Sequence, residues 1–504
     1  MNESSIPLVC DLDGTLLRTD TLHELILRAV ATDLLTLLRA ILLLITRGRL
    51  PFKIYLAEHI QLDPALLPYN SQVVALLRTA RDSGRKTVLA TASSQSIAEG
   101  VAANLCLFDT VYGSTPFRNL KGTAKAELLT SLYGAKGVDY IGDSKVDHPV
   151  FAAARCAYVA NPFRNTLTLL NKTDERATDL TISKSPGDEQ GEKMAPSPVI
   201  RALRPHQWAK NALIFAPLLL AHDFSPDALI ASFTAFMIFC AAASAGYIIN
   251  DCLDLPADRA HPVKCKRPFA SGALSPLPWF VGAALMQLAL PLIAVLMLPL
   301  HFALCLGCYI VLNLCYSFKF KQLLFLDVIV LTSLYVLRVI AGACAIDSPL
   351  SAWVMLCSCF AFLTLALVKR LTELTRLRGS QTAVGNGSEG GDTPPSAISR
   401  RAYRTEDRLI LAALAAASAC STVFTLILYA FEDAATRYYQ SPIIIAFTAL
   451  PVFFAFGRLL LLACRGSLRY DPVMFVLRDK ASLCCALCCG ALYLLASFCG
   501  VPWL

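Results

Sequence analysis

The chain changes character near residue 195. Before that point apolar residues come in short runs broken by charges, and no uncharged run reaches the roughly 20 residues needed to cross a bilayer. After it, nine apolar stretches follow, approximately over 207 to 222, 227 to 249, 278 to 298, 301 to 318, 323 to 346, 352 to 368, 409 to 430, 442 to 463 and 483 to 503. The first is short, and only Pro299 divides the third from the fourth. Residues 171–197, NKTDERATDLTISKSPGDEQGEKMAPS, are rich in charge, Ser, Pro and Gly without an apolar period, which marks a linker. The pattern predicts an α/β domain over 1–170, the linker 171–197, and an all-α bundle of nine transmembrane helices over 198–504. A second low-complexity stretch, 379 to 399, is assigned no chemistry.

Composition agrees. Of 504 residues 56% are apolar and 16% charged, and mean hydropathy is clearly positive, so the chain is read as an integral membrane protein. Its start, MNESSIPLVCDLDGT, lacks the basic and apolar segments of a signal peptide, so the first domain is expected in the cytosol. One set of loops then holds Lys264, Lys266, Arg267, Lys319, Lys321, Lys369, Arg370, Arg376, Arg378, Arg400, Arg401, Arg404, Arg465 and Arg469, against Arg437 alone on the other side. That asymmetry satisfies the positive-inside rule and places these loops with the N-terminal domain. The net charge of +8 suits membrane topology better than nucleic-acid binding, so no nucleic-acid partner is expected. Most of the nineteen cysteines, including Cys484, Cys485, Cys488 and Cys489, lie in apolar segments, where cysteine acts as a small hydrophobe.

In the first domain IPLVCDLDGTLL reads as a buried strand ending in Asp11, Leu12, Asp13 and Gly14. Ligands of open α/β sheets bind at the carboxyl ends of strands, and Gly14 permits the sharp turn out. Of two such aspartates, one can attack phosphorus while the other moves the proton, if a metal ion offsets the phosphate charge. RKTVLATASS follows as a strand ending in Thr91 and Ser93, then LKGTAKAELL with Lys121 and Lys125, then VDYIGDSKVDHPVF with Asp143 and Asp147. This order, over roughly residues 6 to 165, resembles the haloacid dehalogenase superfamily of phosphotransfer enzymes. The resemblance implies a Rossmann-like fold with a helical cap at about 20–75. It makes Asp11 the nucleophile, Asp13 the acid and base, Thr91 a phosphate-holding hydroxyl and Lys125, in preference to Lys121, the charge-stabilising lysine. Asp143, helped by Asp147, completes a Mg2+ site with Asp11 and the carbonyl of Asp13. Within the cap, DLLTLLRAILLLITRG is too short to span; it is expected to fill the cap core or to touch a membrane surface.

The stretch IINDCLDLPADRAHPVKCKRPFASG, after the second apolar segment, gathers Asn250, Asp251, Asp254 and Asp258 just before Lys264, Lys266 and Arg267. Carboxylate and carboxamide oxygens suit a hard divalent ion that bridges substrate phosphates, and Lys and Arg neutralise the remaining charge. If the segment stays helical, Asp251, Asp254 and Asp258 share one face, and their repulsion calls for a cation. The NDCLDLPAD motif resembles the UbiA superfamily of intramembrane prenyltransferases, over residues 200 to 504. That family carries a second aspartate cluster. Here the corresponding position, YSFKFKQLLFLD, offers Tyr316, Ser317, Lys319, Lys321 and a single Asp327.

That departure resembles the decaprenyl-phosphate phosphoribosyltransferases within the superfamily. RPHQWAKN with Lys210 and Asn211, LVKRLTEL with Lys369, Arg370 and Glu373, and RYDPVMFVLRDK with Asp471, Arg478, Asp479 and Lys480 fit the same branch. Arg338, deep in the fifth span, is expected to face the interior and pair with phosphate or a carboxylate. The resemblance implies a bifunctional enzyme of a bacterial inner membrane, with Mg2+ in each domain. Its membrane domain would move 5-phosphoribose from phosphoribosyl diphosphate to a polyprenyl phosphate, and its N-terminal domain would remove the phosphomonoester of the product. The alternatives are prenyl transfer from a polyprenyl diphosphate to an aromatic acceptor, and a non-catalytic transporter or scaffold with a phosphate-sensing domain. A homo-oligomer stays open.

Overall fold

The computed structural model describes residues 6–160, 197–384, 403–432, 439–468 and 471–498. The linker up to residue 196, the loop 379 to 399 beyond residue 384, the side chains of 377–384, and Arg400, Arg401, Arg437 and Arg469 lie outside them. The chain divides into two compact units, Met1–Leu203 with Tyr247–Ala283, and Arg204–Gly246 with Ala284–Leu504.

The first unit is built on a five-stranded sheet: β1 (Leu8–Cys10), β2 (Thr87–Ser94), β3 (Thr110–Ser114), β4 (Asp139–Gly142) and β5 (Cys156–Val159). Their order is β3-β2-β1-β4-β5, with every pair parallel. Parallel strands covered on both faces read as continuous apolar runs, which is why the central strands are visible in the sequence. Of the short edge strands, β3 (TVYGS) carries no such run, while β5 (CAYV) is apolar but only four residues long. Along β1 the side chains alternate. Leu8 and Cys10 pack with Leu89, Leu77 and Val101 on one face, and Val9 packs with Val88, Leu129 and Phe151 on the other. The covering helices are α4 (Ser71–Asp82) and α5 (Gln95–Leu105) on the first face, and α6 (Thr123–Tyr133) and α7 (His148–Ala153) on the second.

At the amino end of β4, buried Asp139 binds the guanidinium groups of Arg155 and Arg85. Burial alone would raise this carboxyl, but the two arginines hold it below the ordinary carboxylate range. Its stabilisation is therefore present at neutral pH and lost as pH falls through that lowered value. Asp139→Ala is expected to cost about 2–3 kcal/mol at pH 7, because Arg155 is only partly buried. Thermal unfolding should show that gap to wild type closing in acid.

The cap forms between β1 and α4 from α1 (Thr21–Thr32), α2 (Leu34–Arg47) and α3 (Arg49–His59). Asp20 caps α1 by accepting from the amides of Leu22 and His23, and Asp33 caps α2 by accepting from that of Thr36, in keeping with the preference of Asp for this position. The cap's two connections run side by side, with Arg18 N donating to Pro68 O at 2.9 Å and Asn70 N to Leu16 O at 2.8 Å.

Eight helices among the described residues are long and apolar enough to cross a membrane: Pro226–Leu253, Pro276–Met297, Leu300–Phe318, Leu326–Ala345, Ala352–Arg376, Thr405–Ala430, Ile443–Cys464 and Lys480–Phe498. The expected ninth, over 207 to 222, is replaced by a tight turn of helix Pro205–Phe215 and a short helix Ala216–Leu220. Pro217, inside this stretch, removes an amide donor and crowds the carbonyl of the preceding turn, so no continuous helix of spanning length is built there. In the second unit, Phe239, Phe302, Leu306 and Tyr309 form a buried core with Ile214 and Ala341. A Cβ at Gly342 would stand 2.1 Å from the carbonyl oxygen of Ile214, so only glycine allows this helix to approach so closely.

Candidate active sites

β1 ends at Asp11, whose amide donates to Ile141 O of β4 at 2.9 Å. The chain then turns through Gly14 at φ 73°, and a Cβ there would lie 2.0 Å from Asp143 Oδ2. Both conformation and space thus require glycine, and the turn brings the ends of β1 and β4 together. Lys125, on α6 and 2% exposed, places its Nζ 3.0 Å from Asp11 Oδ1 and 3.1 Å from Asp147 Oδ1. It also donates to Tyr140 OH at 2.8 Å, and Tyr140 donates on to Asp147 Oδ1 at 2.9 Å. Oxygens of Asp11, Asp143 and Asp147 all lie within 4.8 Å of one another, the one such carboxylate triplet among the described residues.

Burial pushes Asp11 up to about 7, against the pull of Lys125 and with repulsion from Asp147 and Asp13 adding to it. Burial likewise pushes Asp143 to about 7, reinforced by Asp11 and Asp147. Three crowded carboxylates and one lysine leave negative charge that a divalent ion would offset, and the oxygen-only donor set fits Mg2+. Asp13 is held by the amide of Thr21, at 2.8 Å, and by the hydroxyl of Ser93. These groups open on a cavity of about 570 Å³ whose wall also carries Lys121, Arg18, Lys53, Arg49 and Ser275.

Thr91 lies buried on β2. Its Oγ1 accepts from Ser93 N at 3.0 Å, and Thr91 is not among the residues lining the cavity. The register of β2 against β3 shifts between Ala90 and Ser94, and Thr91 Oγ1 takes up an amide in that stretch while Ser93 reaches Asp13.

The aspartate-rich stretch also belongs to the first unit. Asp251 lies in the last turn of Pro226–Leu253, and a kink at Asp254 leads into the short helix Leu255–Arg259. Helical amide bonds from Asp254 to Asn250 O and from Asp258 to Asp254 O cross the kink, so Asp251 and Asp258 come to one side. Both are buried and both meet Arg267, whose Nη1 lies 3.1 Å from Asp251 Oδ1 and 2.6 Å from Asp258 Oδ2. The cation that their repulsion calls for is thus supplied in part by the protein. Burial raises Asp258 above its ordinary value, with Arg267 opposing. Two converging buried carboxylates, with Asn250 and Asp254 on neighbouring turns, fit Mg2+ by donor chemistry. Lys264 and Lys266 are exposed in the following turn. Arg259 forms a buried two-pronged pair with Glu24 of α1, at 3.1 and 2.6 Å, and His23 Nδ1 lies 3.1 Å from Ser275 Oγ. No local pattern in the sequence marks the Glu24–Arg259 pair, whose members are 235 residues apart.

In the second unit Asp327 is not free. Arg370 Nε pairs with its Oδ2, and Tyr403 OH donates to its Oδ1 at 2.7 Å. Arg370 further binds Glu373 at 2.6 Å and Tyr316 OH at 3.0 Å, so Tyr316, Asp327 and Arg370 share one buried network. A second cluster centres on Asp471, 3.5 Å from Lys210 Nζ and 3.2 Å from Lys369 Nζ. Burial would raise Asp471, but Lys369 and Lys210 outweigh it and hold the carboxyl at about 2. Arg338 faces the interior as expected, yet its partners are neutral: Asn211 Oδ1 at 2.8 Å, Tyr309 OH at 2.9 Å and the carbonyl of Leu334. Its guanidinium also stands over the rings of Tyr309 and Tyr335, which accounts for a buried cation without a carboxylate. Lys319 is exposed and Lys321 half-buried.

A parallel α/β domain with a carboxylate triplet at its strand ends and a helical domain with eight spans of membrane-crossing length among the described residues define a two-part membrane protein. Residues 8–152 match the haloacid dehalogenase-like hydrolases, and residues 212–461 match the UbiA prenyltransferase family. The chain is 36% identical over 488 residues to the uncharacterized protein y4nM of Sinorhizobium fredii, covering 95% of this chain and 89% of that one. It is 33% identical over 293 residues to the nodulation protein NoeC of Azorhizobium caulinodans, covering 57% of this chain and 89% of that protein. Over 184 residues it is 39% identical to the decaprenyl-phosphate phosphoribosyltransferase of Mycolicibacterium smegmatis, covering 35% of this chain and 57% of that enzyme. The C-terminal part of the chain carries a UbiA family domain, the N-terminal part carries a haloacid dehalogenase-like domain, and the chain is homologous to the decaprenyl-phosphate phosphoribosyltransferases.

Proposed function

We propose that this membrane enzyme transfers 5-phosphoribose from phosphoribosyl diphosphate to a polyprenyl phosphate and then removes the phosphomonoester from the product. The observation that carries the transferase half is the fate of Asp327. In place of a second aspartate cluster, one carboxylate is locked by Arg370 and Tyr403. A locked carboxylate is a poor second metal site for a prenyl diphosphate. Asp251, Asp254 and Asp258 would hold Mg2+ on the sugar donor's diphosphate, with Asn250 beside them. Bound Mg2+ would supply charge stabilisation to the departing diphosphate.

A lipid phosphate oxygen then attacks the ribosyl carbon as the bond to diphosphate breaks, and positive charge develops on the ring. Lys264, Lys266 and Arg267 would take up the diphosphate's charge. In the second unit Lys210 and Lys369, now paired with Asp471, are cations that can exchange this carboxylate for a phosphate, and Lys319 and Lys321 add positive charge. Arg338, held by Asn211, would be a further cation of the second unit.

For the second step, Asp11 attacks the 5-phosphate while Asp13 protonates the leaving alcohol. Asp13 next draws a proton from water, which releases phosphate from Asp11. Lys125 holds the nucleophile and balances its charge, and Asp143 with Asp147 would complete the Mg2+ set. Both reactions are placed on the cytosolic side of a bacterial inner membrane, in line with the basic loops.

Proteoliposomes given ribose-labelled phosphoribosyl diphosphate and decaprenyl phosphate should yield labelled lipid that carries no 5-phosphate. Absence of labelled lipid from wild type would overturn the transferase reading. Transfer of label from a polyprenyl diphosphate to an aromatic acceptor would favour prenyl transfer instead.

A further inference from the structure

α2 is a helix with one packed side and one bare side. Thr36, Leu37 and Ala40 face the cap, where Leu37 and Ala40 join Leu25, Ala29 and Phe52 in its core. Leu34, Leu35, Leu38, Ile41, Leu42 and Ile45 are exposed, Ile45 at 77%. At helical spacing these six lie within about a third of the circumference, opposite the packed residues. Bare leucines on this scale are unusual on a surface meant for water. Arg39, Arg47 and Arg49 are exposed on the same helix or directly after it.

The compact unit that contains α2 also contains Tyr247–Leu253, the end of one spanning helix, and Pro276–Ala283, the start of another. It is therefore fixed to the bilayer boundary by its own residues, with Trp279 in the first turn of the second helix, a position where indole favours the interface. The apolar run over 33–48 is too short to span, and only Leu37 and Ala40 of its apolar residues join the cap core. We infer that α2 lies in the membrane surface, its leucine face in the acyl boundary and its arginines on anionic headgroups.

This placement bears on the cavity. Leu44 near the end of α2 and Arg49 and Phe52 of α3 line the same space as Asp11 and Lys125. Resting on the phosphatase reading above, the substrate class is then a lipid-borne phosphomonoester, which reaches the cavity along the bilayer surface with its tail still in lipid.

The test uses the full chain in proteoliposomes of phosphatidylglycerol and phosphatidylcholine, with a radiolabelled phospholipid. A benzophenone side chain is placed at Ile45, or as a control at Phe117, which is 97% exposed outside α2. Illumination should attach phospholipid at position 45 at least about fivefold more than at 117. Equal labelling, or chain-to-chain adducts at 45, would overturn membrane docking in favour of random exposure or a second copy. Leu42→Asp with Ile45→Asp should slow loss of the 5-phosphate from labelled lipid about tenfold and leave hydrolysis of p-nitrophenyl phosphate within twofold. Unchanged lipid dephosphorylation would overturn delivery along the surface. A wild type that removes phosphate from neither substrate would overturn the phosphatase reading and with it the substrate class, while cross-linking still decides the docking.

Discussion

Asp11→Asn should stop phosphomonoester hydrolysis, lowering kcat by at least about 10⁴-fold, while labelled lipid continues to form and accumulates with its 5-phosphate. The asparagine fills the same space and keeps an oxygen, but its carboxamide is a poor nucleophile and carries no charge for Lys125. The change also removes one of three crowded carboxylates, and with it part of the repulsion that pushes Asp143 to about 7. Folding should therefore survive, and an unchanged thermal midpoint would separate loss of chemistry from loss of structure. Thin-layer separation of the labelled lipids before and after alkaline phosphatase reads the outcome. A variant whose product matches that of wild type would show that another group attacks phosphorus, or that the domain acts on a different substrate.

Asp251→Ala should lower formation of labelled lipid about 10³-fold, the scale of removing a key charge-stabilising group from a dry site. Hydrolysis of p-nitrophenyl phosphate should stay near wild type. Asp251 and Asp258 share Arg267, so the substitution leaves the guanidinium on Asp258 alone and strips one of the buried oxygens that suit Mg2+. Raising Mg2+ should recover part of the rate if a weakened metal site is the cause, since the remaining carboxylates would still bind. Undiminished labelled lipid from this variant would remove the aspartate-rich stretch from the transferase mechanism.

Much of the architecture was legible in the sequence because burial leaves a local trace. Apolar runs marked β1, β2 and β4, and Asp11 and Asp143 directly follow β1 and β4, while Asp147 stands in the short helix Lys145–Asp147 beyond. Long uncharged segments marked the spans. The exception, 207 to 222, was apolar enough in composition but was interrupted by proline. The edge strands and the orientation of α2 were not legible. A leucine-rich helix looks the same whether its face meets protein or lipid.

What the sequence by itself determined was the inventory: an α/β domain with paired aspartates at a strand end, a membrane domain, an aspartate-rich loop followed by cations, and one aspartate where a cluster was expected. Only the tertiary structure decided the partners. It set Lys125 between Asp11 and Asp147, put Arg267 between Asp251 and Asp258, closed Asp327 with Arg370 and Tyr403, and gave Arg338 neutral acceptors and aromatic faces. Periodicity encodes which side of an element is buried. The pairing of charges far apart in the chain depends on how whole elements pack, and so appears only when the fold is complete.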